Sequence, residues 1–341
     1  HANVIGIERG GDGLFRVTLD DKRLDRRVKL KCRTLVNATG PWTDRLCQLA
    51  GSTAPPRIRP TRGAHLLVPK VADVGLLLHF VDGRFGIILP RGHLSLIGTT
   101  DDDYYGDLDE LAISEDEVGY LFQGTQRFLP ALRREDIVDT KVGVRPTIFQ
   151  YGKKEDKLSR DHRVEQNGDR APGMISVYGG KLATHTLMAE DVLAAVGDAQ
   201  GKSLTCAADY RLPGAPEQDI ESYLQDISAT TKADGPAGID AATREALIRR
   251  YGTRHEHVLE LVEQRPELAE NLCRCQREGQ PAQRILAAEI VLAAREEWAV
   301  TREDIMRRTG LGLGTCRRHG CLHRAEPRLA EDSSPTTASD R

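Results

Sequence analysis

The amino-acid sequence predicts an α/β (α+β) protein with a β-rich first part and an all-helical second part. Apolar and polar residues alternate over residues 2–37, as is typical of β-strands, and several strand-like runs occupy residues 57–101. The segment MISVYGGKLATHTLMAEDVLAAVG (174–197) begins as an apolar strand, passes a Gly-Gly turn and continues as a helix. Helical patterns with charged faces follow the linker RLPGAPEQD. We therefore expect a first region at 1–210, a helical domain at 211–325 and a disordered tail, poor in apolar residues, at 326–341.

The composition excludes two broad classes of protein. Lys and Arg number 48 against 51 Asp and Glu, a net charge of −3, whereas a general nucleic-acid binder is usually strongly basic. The longest apolar stretch, ILAAEIVLAA, contains Glu289 and is too short to span a bilayer. Seven cysteines in 341 residues do not form a disulfide framework, so a reducing compartment is expected. No signal peptide is visible, and because the sequence starts with His1 rather than Met we expect residues upstream.

The first strands form a predicted meander over residues 2–37, with a turn at GGDG. Gly10, Gly11 and Gly13 could in principle cradle a phosphate, but a cradle needs a helix directly after it. Here the strand LFRVTL follows, so a hairpin is favoured.

The stretch LVNATGPW (35–42) predicts a buried strand that ends beside a nucleotide, with Gly40 allowing close approach of the ligand to the backbone. A helix should follow, with Pro41 in its first turn and Gly51 at its end. No G-x-G-x-x-G turn precedes this strand, so the sequence contains only half of a dinucleotide site.

Two strand ends in the middle of the chain carry candidate polar groups. His65, in PTRGAHLLVP, titrates near neutral pH and is a candidate base, although a lone strand histidine is more often structural. Thr99 and Thr100, in LIGTTDDDY, offer hydroxyl groups. A helix is predicted at 114–130.

Three cations lie on separate turns farther along. Lys181 follows Gly179-Gly180 at a helix start, where backbone N–H groups attract anions. Arg145, in GVRP, and Arg160, in SRDH, can converge with Lys181 on one phosphate or carboxylate. The alternative is that each cation pairs with a surface acid.

Taken in order, these motifs resemble one family. NATGPW, RPTRGAHLLVP, LIGTTD, GVRP, SRDHRV and VYGGKLATHTLMAED are similar to segments of FAD-dependent glycerol-3-phosphate dehydrogenases, and AAEIVLAAREEWAVTREDIMRRTGLGLG resembles their C-terminal domain. The resemblance covers about residues 30–315. It implies a flavoprotein with a partial FAD-binding Rossmann-like domain, a mixed β-sheet substrate domain and an all-α C-terminal domain.

The resemblance also implies roles for particular residues. Arg145, Arg160 and Lys181 would form the cationic substrate pocket, and Arg145 and Lys181 would also act in catalysis. From the residues themselves, His65 is the candidate catalytic base and Thr100 a further candidate substrate contact. The implied FAD contacts are Ala38, Thr39, Gly40, Gly179, Gly180, Lys181, Leu182 and Thr184. The implied reaction oxidises sn-glycerol 3-phosphate to dihydroxyacetone phosphate, with hydride passing from C2 to flavin N5 and electrons leaving to a quinone or an electron-acceptor subunit.

The sequence departs from the family in two places. After the lysine the family usually runs Leu-Thr-Thr-Tyr-Arg, where this chain has Leu182, Ala183, Thr184, His185 and Thr186. Family members also carry about 150 residues, roughly one domain, before the first motif. We therefore expect this chain to be the C-terminal part of a longer enzyme. The alternatives are another FAD-dependent amine or hydroxyacid oxidoreductase of the same fold and a catalytically inactive fragment.

The resemblance leaves location and assembly open. A cytoplasmic protein is expected, with peripheral attachment to the inner face of the cell membrane and a homodimer as further expectations.

Four cysteines near the C-terminus form a C-x-C…C-x₄-C pattern. Cys273, Cys275, Cys316 and Cys321 can hold a [2Fe–2S] cluster, which would pass electrons from flavin to a partner subunit, or a zinc ion. Unligated thiols are an equal alternative. A cluster requires the two pairs to approach each other, and without it quinone is the default acceptor.

Overall fold

The computed structural model describes residues 1–154, 157–168, 173–206, 211–230, 238–273, 283–313 and 320–332. Within these ranges the chain forms three β-sheets, followed by a helical region. The predicted fold class, a β-rich flavoprotein-type region with a helical C-terminal part, is confirmed.

The first sheet is an antiparallel meander. Its strands, in the order β1-β2-β3, are β1 (Ala2–Arg9), β2 (Phe15–Asp21) and β3 (Arg26–Cys32). The Gly10 N–H donates to the carbonyl of Leu14 across the turn, and Gly13 adopts a positive φ. The glycines at 10–13 therefore close a hairpin, as predicted, and no helix follows them that would bind a phosphate.

The second sheet contains the two strands whose ends were predicted to contact a nucleotide. It has the order β11-β12-β4, from β11 (His162–Gln166), β12 (Met174–Gly179) and β4 (Leu35–Asn37). β12 pairs with β4 in parallel, and each is followed by a helix, α1 (Thr43–Leu49) after β4 and α3 (His185–Gln200) after β12. Because parallel neighbours end at the same edge of a sheet, the turns that follow β4 and β12 lie side by side.

The third sheet is the largest and is antiparallel at every described pair. Its main path is β10-β5-β8-β7-β6, and β9 pairs with the start of β5. The strands are β5 (Thr61–Pro69), β6 (Leu76–His79), β7 (Phe85–Arg91), β8 (Leu94–Gly98), β9 (Asp102–Asp103) and β10 (Asp139–Arg145). The resemblance implied a mixed substrate sheet; among the described strands the parallel pair lies in the smaller sheet instead.

The faces of the large sheet differ because successive side chains of a strand alternate between its two sides. Ala64, Leu66 and Val68 of β5 pack in a core with α2 (Glu115–Gln126), the helix predicted at 114–130. Gly63 and His65 therefore lie on the opposite face, which turns toward the candidate site.

The helical region is built around one buried helix. Its helices are α4 (Ile220–Thr230), α5 (Ala241–Tyr251), α6 (His255–Gln264), α7 (Ala287–Glu297), α8 (Arg302–Thr309) and α9 (Cys321–Asp332). Residues 287–294 of α7 are all buried, and all of them are apolar except Glu289. Since α9 continues to Asp332, the disordered tail predicted from 326 is wrong for 326–332, and residues 333–341 lie outside the described ranges.

Two contacts join the meander to the helical region. The guanidinium of Arg23 lies 5.6 Å from the ring centre of Trp298, and His1 Nε2 is 3.2 Å from a carboxylate oxygen of Asp304. Trp298 ends α7 with φ 58°, a left-handed conformation that glycine adopts more readily.

No helix in the described ranges has both the length and the apolar character needed to cross a bilayer.

Candidate active site

A pocket of about 310 Å³ lies where the large sheet meets the mixed sheet, β11-β12-β4. Its walls come from residues 144–147 at the end of β10, from Arg160 just before β11, and from residues 179–182 after β12. The structure therefore brings the three predicted cations, Arg145, Arg160 and Lys181, to one pocket.

Arg145 is held by contacts on three sides. Its terminal nitrogens donate to Asp101 at 3.0 Å, to the Thr99 hydroxyl at 3.0 Å and to the Thr100 carbonyl at 3.3 Å. The guanidinium also lies over Gly63, on the neighbouring strand, where a Cβ would overlap it. Burial lowers the pKa of Arg145 and Asp101 opposes that shift, but an arginine keeps its charge at neutral pH.

Arg160 and Lys181 are more exposed than Arg145. Nη2 of Arg160 donates to the second oxygen of Asp101 at 2.8 Å, so one carboxylate contacts both arginines. Lys181 forms no ion pair with any residue that the structure describes. Among the described residues the two arginines therefore share one carboxylate, and the charge of Lys181 is not paired.

The turn that presents Lys181 depends on two glycines. Gly179 and Gly180 have φ values of +71° and +91°, and a Cβ on Gly179 would overlap the carbonyl of Asp161. A 3₁₀ turn over residues 182–184 leads into α3. The N-terminus of α3, which carries the partial positive charge of the helix dipole, therefore lies at the end nearer the pocket. The helix predicted to begin near Leu182 is confirmed.

The neighbouring turn, after β4, is fixed by Asn37. Its side chain accepts a hydrogen bond from the Thr39 hydroxyl at 2.7 Å and donates to the carbonyl of Thr43 at 2.9 Å. Gly40 has φ +59°, and no atom lies within 4 Å of the position that its Cβ would occupy. The backbone at Ala38, Thr39 and Gly40 is thus rigid and open on one side.

His65 stands on the site-facing side of β5. Its ring packs against Gly98 of β8, where a Cβ would overlap it. Burial, and secondarily the positive charge of Arg145, lower the pKa of His65. The imidazole is therefore neutral at pH 7 and able to accept a proton.

The hydroxyl groups of the two threonines after β8 have different partners. Thr100 is buried, and its hydroxyl donates to Glu117 at 3.0 Å and accepts from the N–H of Ala64 at 2.9 Å. A substrate contact through Thr100 is therefore corrected by the structure, because both hydrogen-bonding functions of the hydroxyl are engaged inside the core. Thr99 faces Arg145 instead.

Among the predicted cofactor contacts, Leu182 and Thr184 also differ from each other. Leu182 is 89 % exposed at the pocket wall, whereas the Thr184 hydroxyl donates to the carbonyl of Lys181 at 3.1 Å. Thr184 therefore stabilises the turn, and Leu182 is the apolar surface available to a ligand.

The sequence analysis did not identify Asp101 as a site residue, although Asp101 directly follows Thr99 and Thr100.

The sequence of this chain matches two family models. Residues 1–192 match the FAD dependent oxidoreductase model, and residues 205–325 match the C-terminal domain of alpha-glycerophosphate oxidase. This chain belongs to the FAD-dependent oxidoreductase family. The predicted division at 210/211 stays a prediction.

This chain resembles curated proteins that are longer than itself. It is 32% identical over 324 residues to glycerol-3-phosphate dehydrogenase of Synechocystis and 30% identical over 315 residues to aerobic glycerol-3-phosphate dehydrogenase of Escherichia coli. In both comparisons 89% of this chain is covered, against 56% and 60% of the relatives. The chain therefore spans less than two thirds of the length of these relatives.

A solved structure supports the fold of this chain. The glycerol-3-phosphate dehydrogenase from Bacillus halodurans, complexed with FAD, superposes with a TM-score of 0.79 at 24% identity. The superposition covers 97% of this chain and 64% of that structure. The sheets and the helical region thus have the arrangement of that protein.

The four cysteines predicted to hold a cluster lie partly outside the described residues. Cys275 and Cys316 lie in undescribed segments, while Cys273 and Cys321 are buried in one apolar core. Arg324, in the first turn of α9, donates to the carbonyl of Leu272 at 2.6 Å, so the two described cysteines belong to adjoining segments. Within the described residues no three metal-ligating side chains come together, and the cluster stays a prediction.

Proposed function

We propose that the whole protein oxidises sn-glycerol 3-phosphate to dihydroxyacetone phosphate, with FAD as the hydride acceptor. The observation that carries this proposal is the excess of positive charge in the pocket. Arg145, Arg160 and Lys181 line it together, and Asp101 is the carboxylate shared by the two arginines. Such a surface matches a phosphate dianion, since several charge-assisted hydrogen bonds can converge on its oxygens.

The neighbouring strand ends fit FAD. In sheets of this type ligands bind at the carboxyl ends of parallel strands, which is where Ala38, Thr39 and Gly40 lie beside the turn at 179–182. Gly40 leaves open space for a close approach, and the exposed Leu182 offers an apolar surface to a flavin ring. When bound, FAD supplies the acceptor for a hydride from C2 of the substrate.

Side chains that line the pocket or lie beside it would bind the substrate and accept its proton. Arg145, Arg160 and Lys181 hold the phosphate and so orient the C2–H bond. His65, neutral at pH 7, takes the proton of the C2 hydroxyl as hydride leaves, because a neutral imidazole is a competent base near its pKa. Thr99 keeps Arg145 aimed at the phosphate through the hydrogen bond that its hydroxyl accepts.

A phosphate is favoured over a carboxylate by the number of cations. An amine or hydroxyacid oxidoreductase of the same fold needs one arginine for a bidentate grip on a carboxylate. Here a second arginine and a lysine line the same pocket.

We further propose that electrons leave to a quinone or an acceptor subunit, that the protein is cytoplasmic and attaches peripherally to the inner face of the cell membrane, and that it forms a homodimer.

Anaerobic mixing of the purified, FAD-loaded whole protein with substrate tests the reaction. sn-Glycerol 3-phosphate should bleach the flavin absorbance near 450 nm, whereas glycerol, lactate and glycine should not. Dihydroxyacetone phosphate should appear in proportion to the flavin reduced. Bleaching by lactate or glycine but not by the phosphate ester would replace this function with amine or hydroxyacid oxidation. No reduction by any of them would indicate an inactive protein.

A further inference from the structure

Asp101 connects two sheets through two arginines. Its Oδ1 accepts from Arg145 at 3.0 Å and its Oδ2 accepts from Arg160 at 2.8 Å. Arg145 ends β10 of the large sheet, whereas Arg160 lies in the loop two residues before β11 of the mixed sheet. The carboxylate therefore fixes the spacing of two guanidinium groups, one carried by the large sheet and one by the loop that leads into the mixed sheet.

The backbone that carries Asp101 is itself held firmly. Thr100, on one side, is buried and bonded to Glu117, and Asp102 and Asp103, on the other side, pair with β5. Only 13% of the Asp101 side chain is exposed. Arg160, by contrast, is 46% exposed, and Asp101 is the polar partner that the described residues give it. Without this partner the long arginine side chain would sample many rotamers.

The carboxylate also sets the charge of the pocket. Three positive charges, from Arg145, Arg160 and Lys181, and one negative charge, from Asp101, leave a net charge of +2. A phosphate dianion neutralises that charge. Asp101 also offsets the repulsion between the two guanidinium groups, so they can remain close together before a ligand arrives.

We propose that Asp101 is a positioning residue that holds Arg145 and Arg160 at the spacing required by a phosphate dianion. This inference rests on the proposed function, because it takes the phosphate of that substrate as the ligand. The opposite possibility is that Asp101 competes with the ligand for the arginines. The two differ in sign: removing a positioning carboxylate weakens phosphate binding even though the pocket becomes more positive, and removing a competitor strengthens it.

Calorimetric titration of the purified, FAD-loaded whole protein with inorganic phosphate separates these cases. Asp101→Asn should weaken phosphate binding about ten-fold, which corresponds to about 1.4 kcal/mol. Asp101→Glu keeps the charge but displaces the oxygens by one methylene, and should recover part of the affinity. Asp103→Asn is the matched control, because Asp103 makes a two-bond ion pair with Arg59 away from the pocket wall. It should leave phosphate affinity within about two-fold.

The outcomes distinguish this inference from the function on which it rests. Phosphate binding by the wild type with equal or tighter binding by Asp101→Asn would overturn the positioning role alone. An equal loss in Asp103→Asn would also overturn it, because the effect would then be general. Failure of the wild type to bind phosphate would overturn the phosphate pocket as well. If Asp101→Asn does not fold, affinity of Asp101→Glu equal to that of the wild type contradicts the proposal, and weakened affinity supports it.

Discussion

The pocket and the helical region both contain clusters of arginine, but they pair them differently. In the pocket two arginines share Asp101 and Lys181 has no described acidic partner. In the helical region Arg250 makes two hydrogen bonds to Glu289, at 2.9 and 2.8 Å, and Arg254 contacts both Glu296 and Glu297. Negative charge is thus scarce in the first cluster and plentiful in the second.

We infer from this difference that the arginines of the helical region stabilise the fold, whereas the cations of the pocket bind a ligand. Glu289 is fully buried and also accepts hydrogen bonds from the Tyr251 hydroxyl and from the N–H of Leu286, so its oxygens are engaged within the protein. Asp101 remains partly exposed, and the pocket keeps an excess of positive charge. Changes in the helical region should therefore alter stability, and changes in the pocket should alter binding and catalysis.

The largest effect is expected from Glu289→Ala. Removing one partner of a buried ion pair leaves the other uncompensated and costs about 3–5 kcal/mol. Because Arg250 retains 26% side-chain exposure, we expect the lower end, about 3 kcal/mol. Urea denaturation of the whole protein, followed by far-UV circular dichroism, measures the change. The control is Glu245→Ala, which removes an exposed pair with Arg249 and should cost less than about 0.5 kcal/mol. Equal effects would contradict the comparison.

The next effect concerns the base. His65→Gln should lower the rate of flavin reduction about 100-fold or more and remove the acidic limb of its pH profile. In the wild type that limb should lie below the ordinary imidazole range, near 6.5, because burial and Arg145 lower the pKa of His65. A limb that persists in the variant would place the base elsewhere.

A buried histidine of the helical region gives the control for that experiment. Burial lowers the pKa of His255, whose Nδ1 lies 2.9 Å from the carbonyl of Gly252. Its contribution to stability is therefore complete above the unfolded value, near 6.5, and is lost as pH falls toward the lower folded value. His255→Gln should change the acid dependence of unfolding and leave the pH profile of flavin reduction unaltered.

A smaller loss is expected from the arginines of the pocket. Arg145→Ala or Arg160→Ala should reduce kcat/KM for sn-glycerol 3-phosphate by about one to two decades, since a charge-assisted hydrogen bond contributes about 1.5–3 kcal/mol. Arg145→Ala should also move the acidic limb to higher pH by removing a positive charge near His65. Steady-state kinetics with an artificial acceptor measures both. Unchanged kinetics in the two variants would make these arginines structural, like Arg250.

The smallest effects are expected from substitutions of the adjacent residues Thr99 and Thr100, which should separate a role in binding from a role in stability. Thr100→Val removes the hydroxyl that donates to one oxygen of Glu117 and accepts from the N–H of Ala64, and should lower the free energy of unfolding by about 2 kcal/mol, with KM unchanged. Thr99→Val should change stability by less than about 0.5 kcal/mol and raise KM a few-fold, because Arg145 loses one of its contacts. Reversed results would restore Thr100 as the ligand of the substrate.

Some of the site was predictable from the sequence, for local reasons. The apolar strand, the glycine pair and the helical repeat that follow one another at 174–197 determine the turn that carries Lys181. The convergence of Arg145 and Arg160 followed from motif order and family resemblance. Asp101 was not predictable, because its partners lie 44 and 59 residues away and on two different sheets. Thr99 and Thr100 were indistinguishable because β8 ends at Gly98, beyond which strand alternation gives no orientation.

Gly63 and Gly98, which pack against Arg145 and His65, have a consequence for the sequence evolution of this pocket. Any side chain at position 63 would occupy the space of the Arg145 guanidinium, and any side chain at position 98 would occupy that of the His65 ring. An alanine at either position therefore requires the group above it to shift, the flexible end of Arg145 in one case and the imidazole ring of His65 in the other. In comparisons among distant homologues, Gly63 should accompany Arg145, and Gly98 should accompany His65.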